Sequence, residues 1–187
     1  MQARSATLPD AMSIEQLIQV HVADGTLLPR SLAEICENIR DFVVVEHDGE
    51  IVGCGALHLY GMHLAEIRSI TVTAKAKGTG AGRVLVDALL KEAQRQSVTC
   101  ICLFTRIPDF FGRMGFRIVE KEALPDKMYK DCLKCPRLYA CDETAMYLGT
   151  LPKHAPNAVS ARSAPKFVQI ASPGPVNQLR VETICGE

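Results

Sequence analysis

The stretch Lys77-Gly78-Thr79-Gly80-Ala81-Gly82-Arg83 constrains this chain more than any other. A run rich in β-branched residues, Glu66 to Thr73, precedes it and predicts a strand. An amphipathic run follows, Val84 to Gln96, with Leu85, Ala88, Leu89 and Ala93 on one side. Glycines between a strand and a helix let successive backbone N–H groups turn toward one point without interference from Cβ atoms. The helix start adds the positive end of its dipole. The pattern describes a pyrophosphate site, with Lys75, Lys77 and Arg83 adding positive charge. A Walker loop would end in Gly-Lys-Ser/Thr, whereas Gly82-Arg83-Val84 stands here. A Rossmann fingerprint would follow the first strand of a βαβ unit, and here at least three strands come first. A purely structural turn is the alternative without function.

Other signals place this loop within a mixed α/β arrangement. Thr7 and Asp10 form a T-x-x-D capping box around Pro9, and Ile14, Leu17, Ile18 and His21 continue at helical spacing. Ser31 and Glu34 form a second box, ahead of Leu32, Ile35, Cys36 and Ile39. Phe42 to Glu46 and Ile51 to Tyr60 read as strands joined by an Asp48-Gly49 hairpin turn. Thr99 to Thr105 is apolar enough for a sheet centre. Pro108 to Met114 predicts a short helix ended by Gly115, and Phe116 to Val119 and Thr144 to Leu148 predict two closing strands. Helices and strands in this order suit layers packed on one sheet rather than βαβ alternation throughout.

At 187 residues the chain suits one principal domain, residues 1–149. From residue 150 to 187 Pro, Ala and Ser accumulate without periodicity, predicting an extended or disordered tail or an arm docked on a neighbouring subunit of a homodimer. The formal net charge is zero, which argues against a nucleic-acid binder relying on a basic field. No apolar run approaches the roughly 20 residues of a membrane helix. Met1 to Asp10 lacks the pattern of a secretory signal, so the expected location is the cytoplasm.

Lys77-x-x-Gly80-x-Gly82 resembles the (Arg/Gln)-x-x-Gly-x-(Gly/Ala) coenzyme A motif of the GNAT superfamily of N-acetyltransferases, with Lys in the first position. Phe110-Phe111-Gly112-Arg113-Met114-Gly115-Phe116 resembles that family's (Phe/Trp)-(Tyr/Phe)-x-x-x-Gly-Phe segment. The resemblance spans about residues 3 to 148. It implies a GNAT fold, with a mixed sheet of about six or seven strands flanked by helices and splayed at the acetyl-CoA site. Backbone groups of Ile70, Thr71 and Val72 would then pair with the pantetheine arm, and residues 77–83 (Lys77, Gly78, Thr79, Gly80, Ala81, Gly82, Arg83) would hold the diphosphate.

A narrower resemblance concerns the acceptor. Ala23 to Ser31, Gly53-Cys54-Gly55-Ala56-Leu57, Ala65-Glu66-Ile67 and Leu103-Phe104-Thr105-Arg106 look like segments of the bacterial N-acetylglutamate synthases. The ending Cys132-x-x-Cys135-Pro136 … Cys141-Asp142-Glu143 resembles their short, single-domain form. This implies glutamate as acceptor, in the first step of arginine biosynthesis, with Leu28, Arg30, His63, Arg68, Thr105 and Arg106 around it. Arg30 and Arg106 could each hold a carboxylate bidentately, which suits a dianion. Each could equally be a solvated surface residue. Glu66 matches the Glu of the family's Gly-Glu pair, at the start of the strand before the loop. The expectation is that it takes the ammonium proton, directly or through water. Many GNAT enzymes protonate the leaving thiolate with a Tyr, and the matching Phe111 has no proton to give.

Among eight cysteines, Cys132, Cys135 and Cys141 cluster. They could ligate zinc or an iron–sulfur centre with His154 or Asp142 as fourth ligand, stay reduced, or form a redox pair. The chemistry implied by the resemblance needs no metal. Two further functions stay open. One is a GNAT enzyme for another amino acid, small amine or protein N-terminus. The other is a non-catalytic coenzyme A-binding or metal-sensing module.

Overall fold

The computed structural model describes residues 1–23 and 25–152. The elements run β1 (Gln2–Ser5), α1 (Ala11–Ala23), α2 (Leu32–Glu37), β2 (Phe42–His47), β3 (Glu50–Gly61), β4 (Leu64–Val72), α3 (Ala81–Arg95), β5 (Cys100–Thr105), α4 (Pro108–Gly112), β6 (Arg117–Ile118), α5 (Pro125–Lys130) and β7 (Thr144–Gly149). One seven-stranded sheet has the order β1-β2-β3-β4-β5-β7-β6. All neighbours are antiparallel except β4 and β5. The tail from residue 153, with His154, lies outside the described residues. Among the described residues no helix is long and apolar enough to cross a membrane.

Local chemistry explains most boundaries. Asp48 and Gly49 both have positive φ (52° and 81°), as a two-residue hairpin loop requires. Ser31 Oγ accepts the Glu34 N–H and caps α2. The Asp10 carboxylate accepts both the N–H and the hydroxyl of Thr7, but the turn it closes is 3-10, Leu8–Asp10, before α1 begins. The third helix starts at Ala81 rather than Val84, so the last glycine of the loop lies inside its first turn.

Two elements were absent from the sequence expectation. β1 is four residues of mixed polarity at the sheet edge, and α5 is six residues without an apolar stripe. Neither offers periodicity to detect. β1 is held by register with β2, and by Arg4, which bridges Asp10 (2.7 Å) and Glu46 (2.6 Å).

The sheet is covered on both faces. Val43, Val45, Leu57 and Ile67 meet Leu85 and Leu89 of α3 on one side. Val44, Cys54 and Ala56 meet Ile14, Ile18 and Ile35 of the first two helices on the other. Full burial of each such aliphatic side chain contributes about 1.5–3 kcal/mol. A third cluster, Leu64, Cys100, Cys102, Leu124 and Ala145, underlies the segment carrying α5. That segment thereby roofs the acceptor side of the sheet.

Candidate active site

Two departures from regular pairing create the site. β4 and β5 pair only at Ala65–Ile101 and Glu66–Cys102. Beyond those positions they diverge, leaving a cavity of about 160 Å³ lined by Ile67, Ile70, Leu103, Thr105, Phe111 and Glu143, among others. The second departure is a bulge in β4. Cys54 faces Thr71 and Ala56 faces Arg68, so Gly55 stands opposite both Ser69 and Ile70. Ser69 takes φ 54° there. A Cβ on Gly55 would meet Leu89 Cδ1 at 3.1 Å and Ile70 Cγ1 at 3.4 Å, so glycine lets α3 pack close beneath the bulge.

The glycine loop lies where β4 leads into α3. Gly78 and Gly80 have φ of 79° and 94°, and a Cβ on either would meet nothing within 4 Å. That side of the loop is open. Thr79 is tied back by its hydroxyl to the Ala76 carbonyl at 2.8 Å. The Val84 N–H makes the first helical bond, to Gly80, at 3.0 Å. The first-turn amides of Ala81, Gly82 and Arg83 thus have no acceptor within the helix and can receive an anion. Arg83 is exposed, 3.7 Å from Asp87 one turn on.

A second cavity of about 130 Å³ adjoins the wedge. Its wall carries five cationic side chains, Arg30, Arg68, Arg106, Lys127 and Arg137, against three acidic ones, Glu66, Asp142 and Glu143. Glu34 and Asp131, which pair with Arg30 and with Lys127 from just outside the wall, bring the acidic groups of the cluster to five as well. Leu28 also lines the cavity. Arg30 donates from Nε to Ser69 Oγ (2.9 Å) and pairs with Glu34 (2.5 Å), so the bulge and the α2 cap together aim it. Burial, and then the nearby Arg68, lower its pKa from the usual arginine value. Arg106 pairs with Asp142 (2.8 Å) and donates to the Thr26 carbonyl (2.8 Å), and Asp142 holds its pKa up. Arg137 reaches the Gly25 carbonyl (2.6 Å) and stands 3.4 Å from Asp142. These two arginines latch the loop around residues 25–28 to the segment before β7.

Glu66 is buried. Tyr60 Oη lies between two carboxylates, 2.9 Å from Glu66 and 2.5 Å from Asp131, and Lys127 Nζ stands 2.8 Å from Glu66 Oε1 and 3.0 Å from Oε2. Lys127 also pairs with Asp131 at 3.1 Å, and Arg68 lies 3.8 Å from Asp131 and 4.0 Å from Glu66. Burial works to lower the Lys127 pKa, but Glu66 and Asp131 outweigh it and the net shift is upward. Tyr60 moves far above its ordinary value through burial and the Glu66 charge. Glu143 is pushed up by burial, against the pull of Arg106 and Lys127.

Of the expected site residues, Leu28, Arg30, Glu66, Arg68 and Arg106 line this second cavity, and Thr105 lines the wedge, its hydroxyl accepting the Ile107 N–H at 3.0 Å. His63 does not join them. It sits in the β3–β4 turn, exposed, 2.9 Å from Asp126, and lines neither cavity. Tyr60, Lys127, Asp131 and Arg137 were not expected at the site, and Glu143 was noted only as part of Cys141-Asp142-Glu143. Lys127 and Asp131 belong to an acidic and basic alternation with Asp126 and Lys130 that looks like a solvated face. Phe111 is packed edge-on against Phe110 and Phe116, in keeping with a residue that carries no proton.

Among the described residues no group of three or more His, Cys, Asp or Glu side chains could hold the zinc left open as one alternative, and His154, a candidate fourth ligand, lies outside them. Cys132, Cys135 and Cys141 are free thiols; Cys135 and Cys141 line the second cavity, and Cys135 Sγ accepts the Arg137 N–H at 3.4 Å.

Comparison with known proteins agrees with this geometry. The family model described as the acetyltransferase (GNAT) family matches residues 14–116. An uncharacterized N-acetyltransferase of Chlorobaculum tepidum is 39% identical over 143 residues, covering 76% of this chain and 92% of that protein. An amino-acid acetyltransferase of Mycobacterium tuberculosis is 36% identical over 120 residues, 63% of this chain and 68% of that one. A Mycobacterium tuberculosis crystal structure in complex with CoA superposes with a TM-score of 0.70 at 29% identity, over 81% of this chain and 100% of the other. N-acetylglutamate synthase of Neisseria gonorrhoeae, at 24% identity and a TM-score of 0.72 over 81% of this chain and 35% of its own, shares the fold. The splayed seven-stranded sheet and the glycine loop are therefore those of an acetyl-CoA-dependent acyltransferase, and the chain belongs to the acetyltransferase (GNAT) family.

Proposed function

We propose that this enzyme acetylates the α-amino group of L-glutamate, the first step of arginine biosynthesis, in the cytoplasm. The observation that carries this reading is the small cavity with five cationic and three acidic side chains, opening onto the β4–β5 wedge. The two carboxylates of glutamate match Arg30 and Arg106 as guanidinium partners in that wall. Relatives named amino-acid acetyltransferase support the acceptor class.

The chain's own groups divide the work. Free amides of residues 81–83 and the open faces of Gly78 and Gly80 receive the diphosphate, with Lys77 and Arg83 near it. Ile70, Thr71 and Val72 offer a strand edge to the pantetheine arm. Arg30 and Arg106 are the proposed carboxylate partners of the acceptor. Glu66 takes the ammonium proton, directly or through a water, and the amine nitrogen then attacks the thioester carbon. A backbone N–H at the Ser69–Ile70 bulge stabilises the oxyanion as the C–N bond forms. The C–S bond breaks, the nitrogen gives its second proton to solvent, and the thiolate, with a pKa of about 8.5 by analogy to free cysteine, takes a proton from solvent.

The test is a panel of amino acids and simple amines offered with acetyl-CoA while thiol release is followed. L-Glutamate is expected to give the highest kcat/KM. A preferred acceptor lacking a second carboxylate would replace this reading with that of another GNAT specificity.

A further inference from the structure

The expected base is not free in the cleft: a lysine from α5 holds both of its oxygens. An ammonium has three N–H donors. The two Glu66 oxygens and Asp131 take all three, and Lys127 lines the acceptor cavity, so a guest carboxylate must displace one of them. The Phe104 ring, 5.6 Å from Nζ, closes the apolar side of the position.

Geometry then fixes which part of an acceptor meets this lysine. The reacting nitrogen must come within hydrogen-bond reach of Glu66. Lys127 Nζ lies 2.8 Å from Glu66. In an α-amino acid the α-carboxylate is two bonds from that nitrogen, whereas the γ-carboxylate of glutamate is four. The α-carboxylate stays beside the amine, and so within reach of Lys127, in every side-chain rotamer of the acceptor, whereas the γ-carboxylate comes near only when the side chain folds back. A carboxylate there competes for the same ammonium and loosens its hold on the Glu66 oxygens, which are the ones needed to take the proton.

We propose that Lys127 is the specificity residue that reads the acceptor's α-carboxylate, and that its transfer from Glu66 to that carboxylate frees the base only when an α-amino acid is bound. This deepens the proposed function and rests on its α-amino-acid acceptor. The groups facing Lys127 are Glu66 and Arg68 of β4, Tyr60 of β3, Asp131 after α5 and Glu143 before β7. Its raised pKa keeps it cationic at neutral pH, as the role requires.

The experiment compares L-glutamate, its α-amide and its γ-amide as acceptors for wild type and for Lys127→Met. Wild type should favour glutamate over the α-amide. Lys127→Met should lower kcat/KM for glutamate by roughly ten- to a hundredfold, the worth of one charge-assisted hydrogen bond, and should abolish the preference over the α-amide. Preference over the γ-amide should persist in the variant, and the KM for acetyl-CoA should stay within about threefold of wild type on the same argument. Lys127→Gln keeps a donor for Glu66 without the charge and guards against a folding defect; it should lose the same discrimination. Retention of the α-carboxylate preference in both variants overturns the proposal. If wild type does not distinguish glutamate from the γ-amide, the glutamate reading fails while the α-amide comparison still decides the role of Lys127.

Discussion

Gly80→Ala is the sharpest probe of the phosphate cradle, because the structure separates its effect on folding from its effect on binding. Gly80 stands at φ 94° ahead of α3, and a new Cβ would meet no protein atom within 4 Å. The folding cost is therefore backbone strain alone, about 1–2 kcal/mol for an L-residue held in the left-handed region. For a chain of this length that lowers Tm by about 2–8 °C. Gly49 has the same combination, φ 81° and open space, but lies in the β2–β3 hairpin away from the loop. Gly49→Ala should lower Tm by a similar amount. Only at Gly80 does the methyl group enter the space where the diphosphate approaches the free amides. Loss of one charge-assisted contact there is worth about 1.5–3 kcal/mol, or roughly ten- to a hundredfold in Kd. Calorimetric titration with coenzyme A should show that weakening for Gly80→Ala and wild-type affinity for Gly49→Ala. Equal affinity in both variants would refute the cradle, whatever happened to Tm.

Other consequences follow from the same geometry. Arg30→Gln should raise the KM for glutamate by roughly tenfold or more, with the KM for acetyl-CoA unchanged in the same initial-rate assay. Glu66→Gln should lower kcat by roughly a hundredfold or more, and a variant at wild-type turnover would remove Glu66 from the reaction. Asp10 is depressed below its ordinary 3.8, chiefly by its hydrogen bond with Arg4. A depressed carboxyl contributes stability above its unfolded pKa and loses it as pH falls through the folded one, so Asp10→Asn should flatten the acid limb of a urea-midpoint profile below about pH 4. Burial pushes the Cys54 thiol up to about 12 and the Cys100 thiol up to about 11. Both should resist alkylation at pH 8 in the folded protein and react once it is denatured, as mass spectrometry of peptides would show.

Much of the scaffold could be read in advance because its signals are local. A glycine loop between a β-branched run and an amphipathic run needs no tertiary context, and neither do the Asp48-Gly49 turn or the Ser31 cap. The bulge at Ser69 could not be read, since it exists only in the register between β3 and β4. The pattern of α5 also fails locally: its useful side chain, Lys127, becomes informative only when the segment folds over β4 and meets Glu66. His63 shows the converse error, a basic residue assigned to the site by likeness of position and carried instead by the β3–β4 turn to Asp126. The cysteine spacing left a metal site, reduced thiols and a redox pair open, and the fold brings Cys135 and Cys141, but not Cys132, to the cavity wall.

The most direct test of glutamate recognition is a crystal structure with coenzyme A and N-acetyl-L-glutamate. Density should show the diphosphate at the amides of residues 81–83, one carboxylate within hydrogen-bond distance of Arg30 or Arg106, and the α-carboxylate at Lys127. An acetylated product lying outside this cavity, or carboxylates pointing to solvent, would contradict the account.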